Sequence, residues 1–204
     1  MENNNFHCTQ QLEGAPMAIT TDMIKTLRTK TGAGIMDSKR ALEETDGNID
    51  KAVDFLRQQG LAKAGKKADR AARQGLIDTY IHAQGRIGAM VEVNCETDFV
   101  ARTEDFKRLA YDISMQVAAM APRYATVNEI KEEDYAALER EFGDRDAAIK
   151  AVVLSEQTFI KDAKKTISDM VKENISKLGE NIVIRRFARF ELGETSSDES
   201  TGDA

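Results

Sequence analysis

Apolar positions follow three rhythms along the chain, and each rhythm predicts a different kind of element. Between residues 20 and 60 they recur every three or four positions in bursts cut by glycine, which predicts short amphipathic helices. Thr20 or Thr21 caps the first, Asp22 suits its positive end, and Ile24 and Leu27 share a face until Gly32 and Gly34 turn the chain. The second unit, over 36–45, buries Met36 and Leu42 and ends at Gly47. The third aligns Ile49, Val53 and Leu56 over 49–59 and ends at Gly60.

From Leu76 the period shortens to two. Residues 76–82 and 86–93 flank Ala83, Gln84 and Gly85, a short glycine-containing turn, so they should pair as a hairpin. Thr103, Glu104 and Asp105 then open a helix with the core stripe Phe106, Leu109, Ile113 and Val117, stopped by Pro122. Residues 129–146 carry eight acids against Lys131, Arg140 and Arg145, which predicts an exposed acidic helix over 132–142, broken at Gly143. A short helix over 147–156 follows. Thr166 and Asp169 cap a helix over 167–178 that ends at Gly179. Residues 182–190 are rich in β-formers, with Arg185, Arg186 and Arg189 between apolar positions, and should join the hairpin in a three-stranded sheet. The expected fold is α+β: a three-helix module over 17–60, then a helix-covered antiparallel sheet within 76–192. In shape the module resembles the ubiquitin-associated (UBA) type of three-helix bundle, which predicts a helix-binding surface and not ubiquitin itself.

Composition changes this picture at the edges. Residues 1–16 are polar and patternless and are expected to be disordered; Met17 looks like a translation start of its own. Residues 61–75 hold Lys63, Lys66, Lys67, Arg70 and Arg73 against Asp69, as in a solvated helical linker. The formal charge of −6 comes mostly from Glu191, Glu194, Asp198, Glu199 and Asp203; without those five the body stands at −1 and has no field to attract a polyanion. The tail over 193–204 is expected to be disordered. No apolar run is long enough to cross a bilayer, and the amino terminus lacks the basic and apolar regions of a signal peptide. Two cysteines, Cys8 and Cys95, cannot build a disulfide framework and fit a reducing cytoplasm.

Candidate chemistry is sparse. The only histidines are His7 and His82, and a Cys95–His82 nucleophile pair would place its members near opposite ends of the hairpin with no third, orienting group. Cys95 reads better as a small buried side chain. No Cys/His cluster has metal-ligand spacing, and no cofactor is expected. Thr31, Gly32, Ala33 and Gly34 follow a helix and lack the Gly-Lys-Ser/Thr of a phosphate loop. Lys39 and Arg40 sit early in the second helix, but Glu43, Glu44 and Asp46 argue against DNA reading. An enzyme is therefore not expected. Basic residues 63–73 contain no aromatic for base stacking, so an RNA-associated helical adaptor stands as the rival reading only.

The informative stretch is Asn94, Cys95, Glu96, Thr97, Asp98, Phe99, Val100, Ala101 and Arg102, where the hairpin stops and a helix begins. A corner carrying an aromatic beside a carboxylate suits a wedge aimed at a partner; taken alone, these residues favour Phe99 as a plug of the local core. Residues 97–100 resemble the Thr-Asp-Phe-Val signature of the bacterial elongation factor Ts family. Residues 17–60, with Leu27, Arg28 and the run 31–42, resemble that family's amino-terminal module. Residues 88–102 resemble its core signature, and 156–162 and 179–193 its carboxy-terminal region. The length is that of the family's short form, without a second core repeat or coiled-coil insertion.

The resemblance implies a protein that engages elongation factor Tu, in its GDP-bound and nucleotide-free forms, and speeds GDP release. Thr97, Asp98, Phe99 and Val100 would enter the partner's nucleotide-binding domain and disturb its Mg²⁺ site. Lys25, Arg28, Ile35 and Met36 would grip the same domain. No nucleotide, metal, membrane or nucleic acid need bind this chain itself, and a homodimer is left open. Ile35 stands where methionine is commoner in the family, a near-neutral exchange for an apolar contact. Residues 126–155 are shorter and more acidic than the family's usual middle segment, and residues 1–16 match nothing in it.

Overall fold

A computed structural model describes residues 18–194. The expectations for residues 1–16, for Met17 and for the tail beyond residue 194 lie outside the described residues. The chain divides into two compact units, one up to Gln59 and one from Gly60.

Three helices build the first unit: α1 (Thr21–Thr31), α2 (Ile35–Glu43) and the first part of α3 (Ile49–Gly65). The Thr20 hydroxyl accepts the Met23 N–H at 3.3 Å, and Gly32 ends α1 in the left-handed conformation, donating its N–H to the Arg28 carbonyl. Asn48 opens α3 by accepting the Lys51 N–H at 3.0 Å. Leu27, Ala41, Leu42 and Ala52 form the core, with Ile24, Ile49, Val53 and Leu56 packed against it.

Two expectations fail here. Met36 is not buried but 75% exposed. The inward stripe of α2 is Ser38, Ala41 and Leu42. Met36 precedes Ser38 by two residues, about 200° around the helix, and so faces the other way. Gly60 does not end α3, which runs on to Gly65. Interior glycine weakens a helix by about 1 kcal/mol without forbidding it, and Gly60 is buried where a Cβ would lie 3.2 Å from the Ser176 side chain.

The second unit is built on a sheet in the order β1 (Gln74–His82), β2 (Ile87–Cys95), β5 (Ile182–Glu191), all antiparallel. The hairpin turns through Ala83, Gln84 and Gly85, all at positive φ. Ala89, Val91, Val93 and Cys95 alternate inward from β2. They meet Phe106, Leu109, Ile113 and Val117 of α5 (Glu104–Met120) and Ile167, Met170 and Ile175 of α8 (Ile167–Leu178). The Thr103 hydroxyl caps α5, and Thr166 with Asp169 forms a reciprocal capping box on α8.

Between α5 and α8 the acidic helix spans Glu132–Phe142 (α6), as its pattern predicts, yet it is not simply exposed. Tyr135 and Leu138 join Ile130, Ala148, Val152 and Val153 in a core of their own. The helix expected over 147–156 divides into α7 (Arg145–Val152) and a 3₁₀ turn (Leu154–Glu156). A small hairpin, β3 (Thr158–Phe159) with β4 (Asp162–Thr166), had no sequence signal. Buried Gln116 holds it from α5, donating to the Thr158 carbonyl at 3.1 Å and accepting the Ile160 N–H at 3.0 Å. The remaining element, α4 (Asp98–Ala101), follows β2 directly.

Gly75 makes a close approach at the start of β1. Its φ is +148, and a Cβ would sit 2.1 Å from the Val93 carbonyl oxygen. Gly75→Ala should lower stability in urea denaturation by more than about 2 kcal/mol. Gly65→Ala, with open space at the end of α3, should leave it unchanged or raised.

Candidate partner-binding site

The corner after β2 is built by one capped helical turn. Thr97 is the N-cap of α4, its hydroxyl accepting the Val100 N–H at 3.4 Å. Val100 packs against the core and Ala101 is buried, so Phe99, one residue back, points away from the core. Its ring is 78% exposed. The alternative of Phe99 as a local core plug is thereby overturned. Asp98 pairs with Arg102 one turn on, at 2.8 Å.

The corner is held from a distant part of the chain. One Glu180 carboxylate oxygen accepts the N–H groups of Glu96 at 3.1 Å and Thr97 at 2.9 Å; the other accepts the Thr97 hydroxyl at 2.6 Å. Glu96 answers by accepting the Asn181 N–H at 2.7 Å and pairing with Arg70 at 3.5 Å. The Asn181 side-chain amide donates to the carbonyls of Ala68 and Arg70. Residue-by-residue reading missed Glu180 and Asn181 as site residues, because nothing local in the sequence brings residue 180 to residue 97. The cap of α4 was missed as well, since the helix start was placed at Thr103, although Thr97 followed by Asp98 is an N-terminal helix signal.

In the first unit Ile35 and Met36 begin α2, 57% and 75% exposed. Lys25 and Arg28 lie one turn apart on exposed α1. Lys25 pairs with Asp22 at 3.7 Å, and Arg28 donates to the Ala33 carbonyl at 3.3 Å, which ties it to the turn before Ile35.

A second apolar surface is the outer face of the sheet. Ile81 and Phe190 flank Gly88 across the three strands, with Met90 and Ile77 in the next rows, and all four side chains are exposed. An ion pair on this face, Arg186 with Glu92 at 2.7 Å, holds the Glu92 carboxyl below the usual carboxylate range through its hydrogen bond.

Cys95 and His82 do sit at opposite ends of the hairpin: Cys95 opposes Gln74, and His82 opposes Ile87. Cys95 is fully buried and donates to the Thr97 carbonyl at 3.1 Å, while His82 stacks on Tyr80. Desolvation, followed by the nearby Glu180 charge, pushes the thiol pKa up to about 11. That is the reverse of an activated nucleophile. Among the described residues no group of three or more His, Cys, Asp and Glu could hold a metal ion, and no helix is long and apolar enough to cross a membrane.

Exposed apolar side chains on stiff supports suit surfaces that dock a partner. Comparison with known proteins narrows the class. The family model described as elongation factor TS matches residues 37–148. Elongation factor Ts of Syntrophomonas wolfei is 51% identical, over 89% of this chain and 94% of its own length. That of Coprothermobacter proteolyticus is 48% identical over 87% and 100%, and that of a Synechococcus strain 48% over 87% and 70%. The chain belongs to the elongation factor Ts family, a class of factors in the elongation phase of protein synthesis.

The raised Cys95 pKa has a sign that can be checked. The folded thiol stays protonated above the unfolded value of 9.0, so its contribution to stability is complete below pH 9 and is lost as pH rises through 11. Cys95→Ala should therefore flatten the fall in stability between those limits. Native Cys95 should resist alkylation at pH 8, read by mass spectrometry of its peptide, until denaturant is added.

Proposed function

We propose that the chain binds elongation factor Tu and accelerates GDP release, with residues 97–100 inserted beside the partner's Mg²⁺ and nucleotide site. The observation that carries this reading is the exposed Phe99 ring at the tip of a corner whose backbone is tied down. An exposed aromatic on a rigid support gives apolar contact at little entropic cost, as binding anchors do. Asp98 places a carboxylate next to it, suited to competing for a cation's surroundings. Exchange then follows from linkage. A binder that prefers its partner's nucleotide-free shape must lower GDP affinity by the factor by which GDP lowers its own. Both forms of the partner are bound, the GDP form in the encounter and the empty form more tightly. The chain itself needs no nucleotide and no metal.

The first unit supplies grip in this scheme, as a UBA-like module over 17–60 using Ile35 and Met36 as apolar contacts and Lys25 and Arg28 as charged ones. Of residues 61–75, those between α3 and β1, residues 66–73, then serve as the basic linker to a core that extends to residue 192. The site of action is the cytoplasm, where translation runs. The bare sheet face supports a second element of the reading, pairing of two copies. Its apolar rows are self-complementary, as a twofold contact between copies requires.

Release of a fluorescent GDP from purified elongation factor Tu tests the main reading. The chain should accelerate it, and Phe99→Ala should cut the acceleration by at least about tenfold, as expected for truncating an interface anchor. A folded chain that leaves the release rate unchanged overturns the reading. For pairing, sedimentation should find a dimer that Phe190→Glu converts to a monomer.

A further inference from the structure

The Glu180 carboxylate faces three donors. Gly179, in the left-handed conformation at φ 81, stops α8 and swings the next residue beneath the end of β2. There the β2 ladder has ended at Cys95, so the N–H groups of Glu96 and Thr97 have no strand partner, and Glu180 accepts both. Its second oxygen takes the Thr97 hydroxyl proton at 2.6 Å. That bond orients the hydroxyl: with its proton committed to Glu180, its lone pairs are free for the Val100 N–H, which is the cap of α4. An α4 of four residues cannot hold itself, since one helical turn fixes more backbone freedom than its hydrogen bonds return. Whatever fixes the cap fixes the direction of Phe99.

We propose that Glu180, braced by the reciprocal Glu96–Asn181 contact, is the positioning residue of the exchange corner, holding Phe99 in its binding direction before the partner arrives. This rests on the exchange reading above. Glu180 touches neither partner nor nucleotide in this scheme. It acts through Thr97 and α4, and its loss leaves Phe99 present but undirected. Because the first unit supplies much of the grip, the defect belongs in the rate within the complex and not in the affinity.

The test uses the full chain and elongation factor Tu loaded with fluorescent GDP. Glu180→Ala should lower the saturating release rate by roughly tenfold or more, as misplacement of a working group does, with half-saturation moved less than about twofold. Glu180→Gln keeps an acceptor for the two N–H groups and an amide for the Thr97 oxygen, and should restore most of the rate. In a Phe99→Ala background, Glu180→Ala should add less than about twofold, because the two act in series. Hydrogen exchange supplies a readout free of the partner: the amides of residues 96–100 should exchange faster in Glu180→Ala while those of α5 stay protected. Equal release by wild type and Glu180→Ala, independent multiplication of the two defects, or unchanged amide exchange at 96–100 would each overturn the positioning role. A wild-type chain that fails to accelerate release overturns the exchange reading instead, and the two failures are thereby separate.

Discussion

Strand β2 carries the central constraint of the larger unit. It is hydrogen-bonded along both edges, to β1 and to β5, and lays Ala89, Val91, Val93 and Cys95 against the α5 stripe. With a side-chain period of two, a slip of one residue on either edge would turn a neighbouring strand's core side chains out to solvent. The bulge opposite Glu92 and Val93 absorbs one extra residue of β5, so that Ile184 still faces Val93 and Ile182 still faces Cys95. The end of β2 is therefore a fixed point in the unit, and the corner bearing Phe99 leaves from that point.

A fixed point of departure would mean little if the corner were loose. The last strand residue is a buried cysteine whose thiol is tied to the Thr97 carbonyl, and the next two N–H groups are tied to Glu180. Rigidity is thus imported from α8 and β5 to a segment too short to supply its own. Placing an apolar ring in water on such a support is unfavourable for the free protein and favourable for a complex that covers it. The same trade appears in the first unit, where Ile35 and Met36 stand exposed on a helix whose other face is fully packed.

Several elements were open to reading from residue order. Caps at Thr20, Thr103 and Thr166, the glycine stops at Gly32 and Gly179, the hairpin turn and the stripe from Phe106 to Val117 are local signals, and each acts within a few residues of its cause. Errors fell where two local signals competed or where packing overrode one. Met36 is as apolar as Leu42, and only the direction of the α2 stripe separates them. Gly60 carries a stop signal, yet lies in a helix interior because a neighbouring helix passes close to it. The β3–β4 hairpin is too short for a periodicity and is held by a glutamine from α5.

The order of residues was enough to specify the α+β class, most of the helix caps and the place of the unusual corner, since periodicity, capping and turn chemistry are short-range effects. It could not say whether Phe99 faces the core or solvent, because a single aromatic in a four-residue turn has no period to read. Nor could it bring Glu180 under Thr97, since no local rule joins residues that far apart in the chain. Those two facts belong to the tertiary structure alone: α8 must pack on the sheet, and β5 must pair with β2, before the Glu180 carboxylate can close the hydrogen bonds at residues 96 and 97.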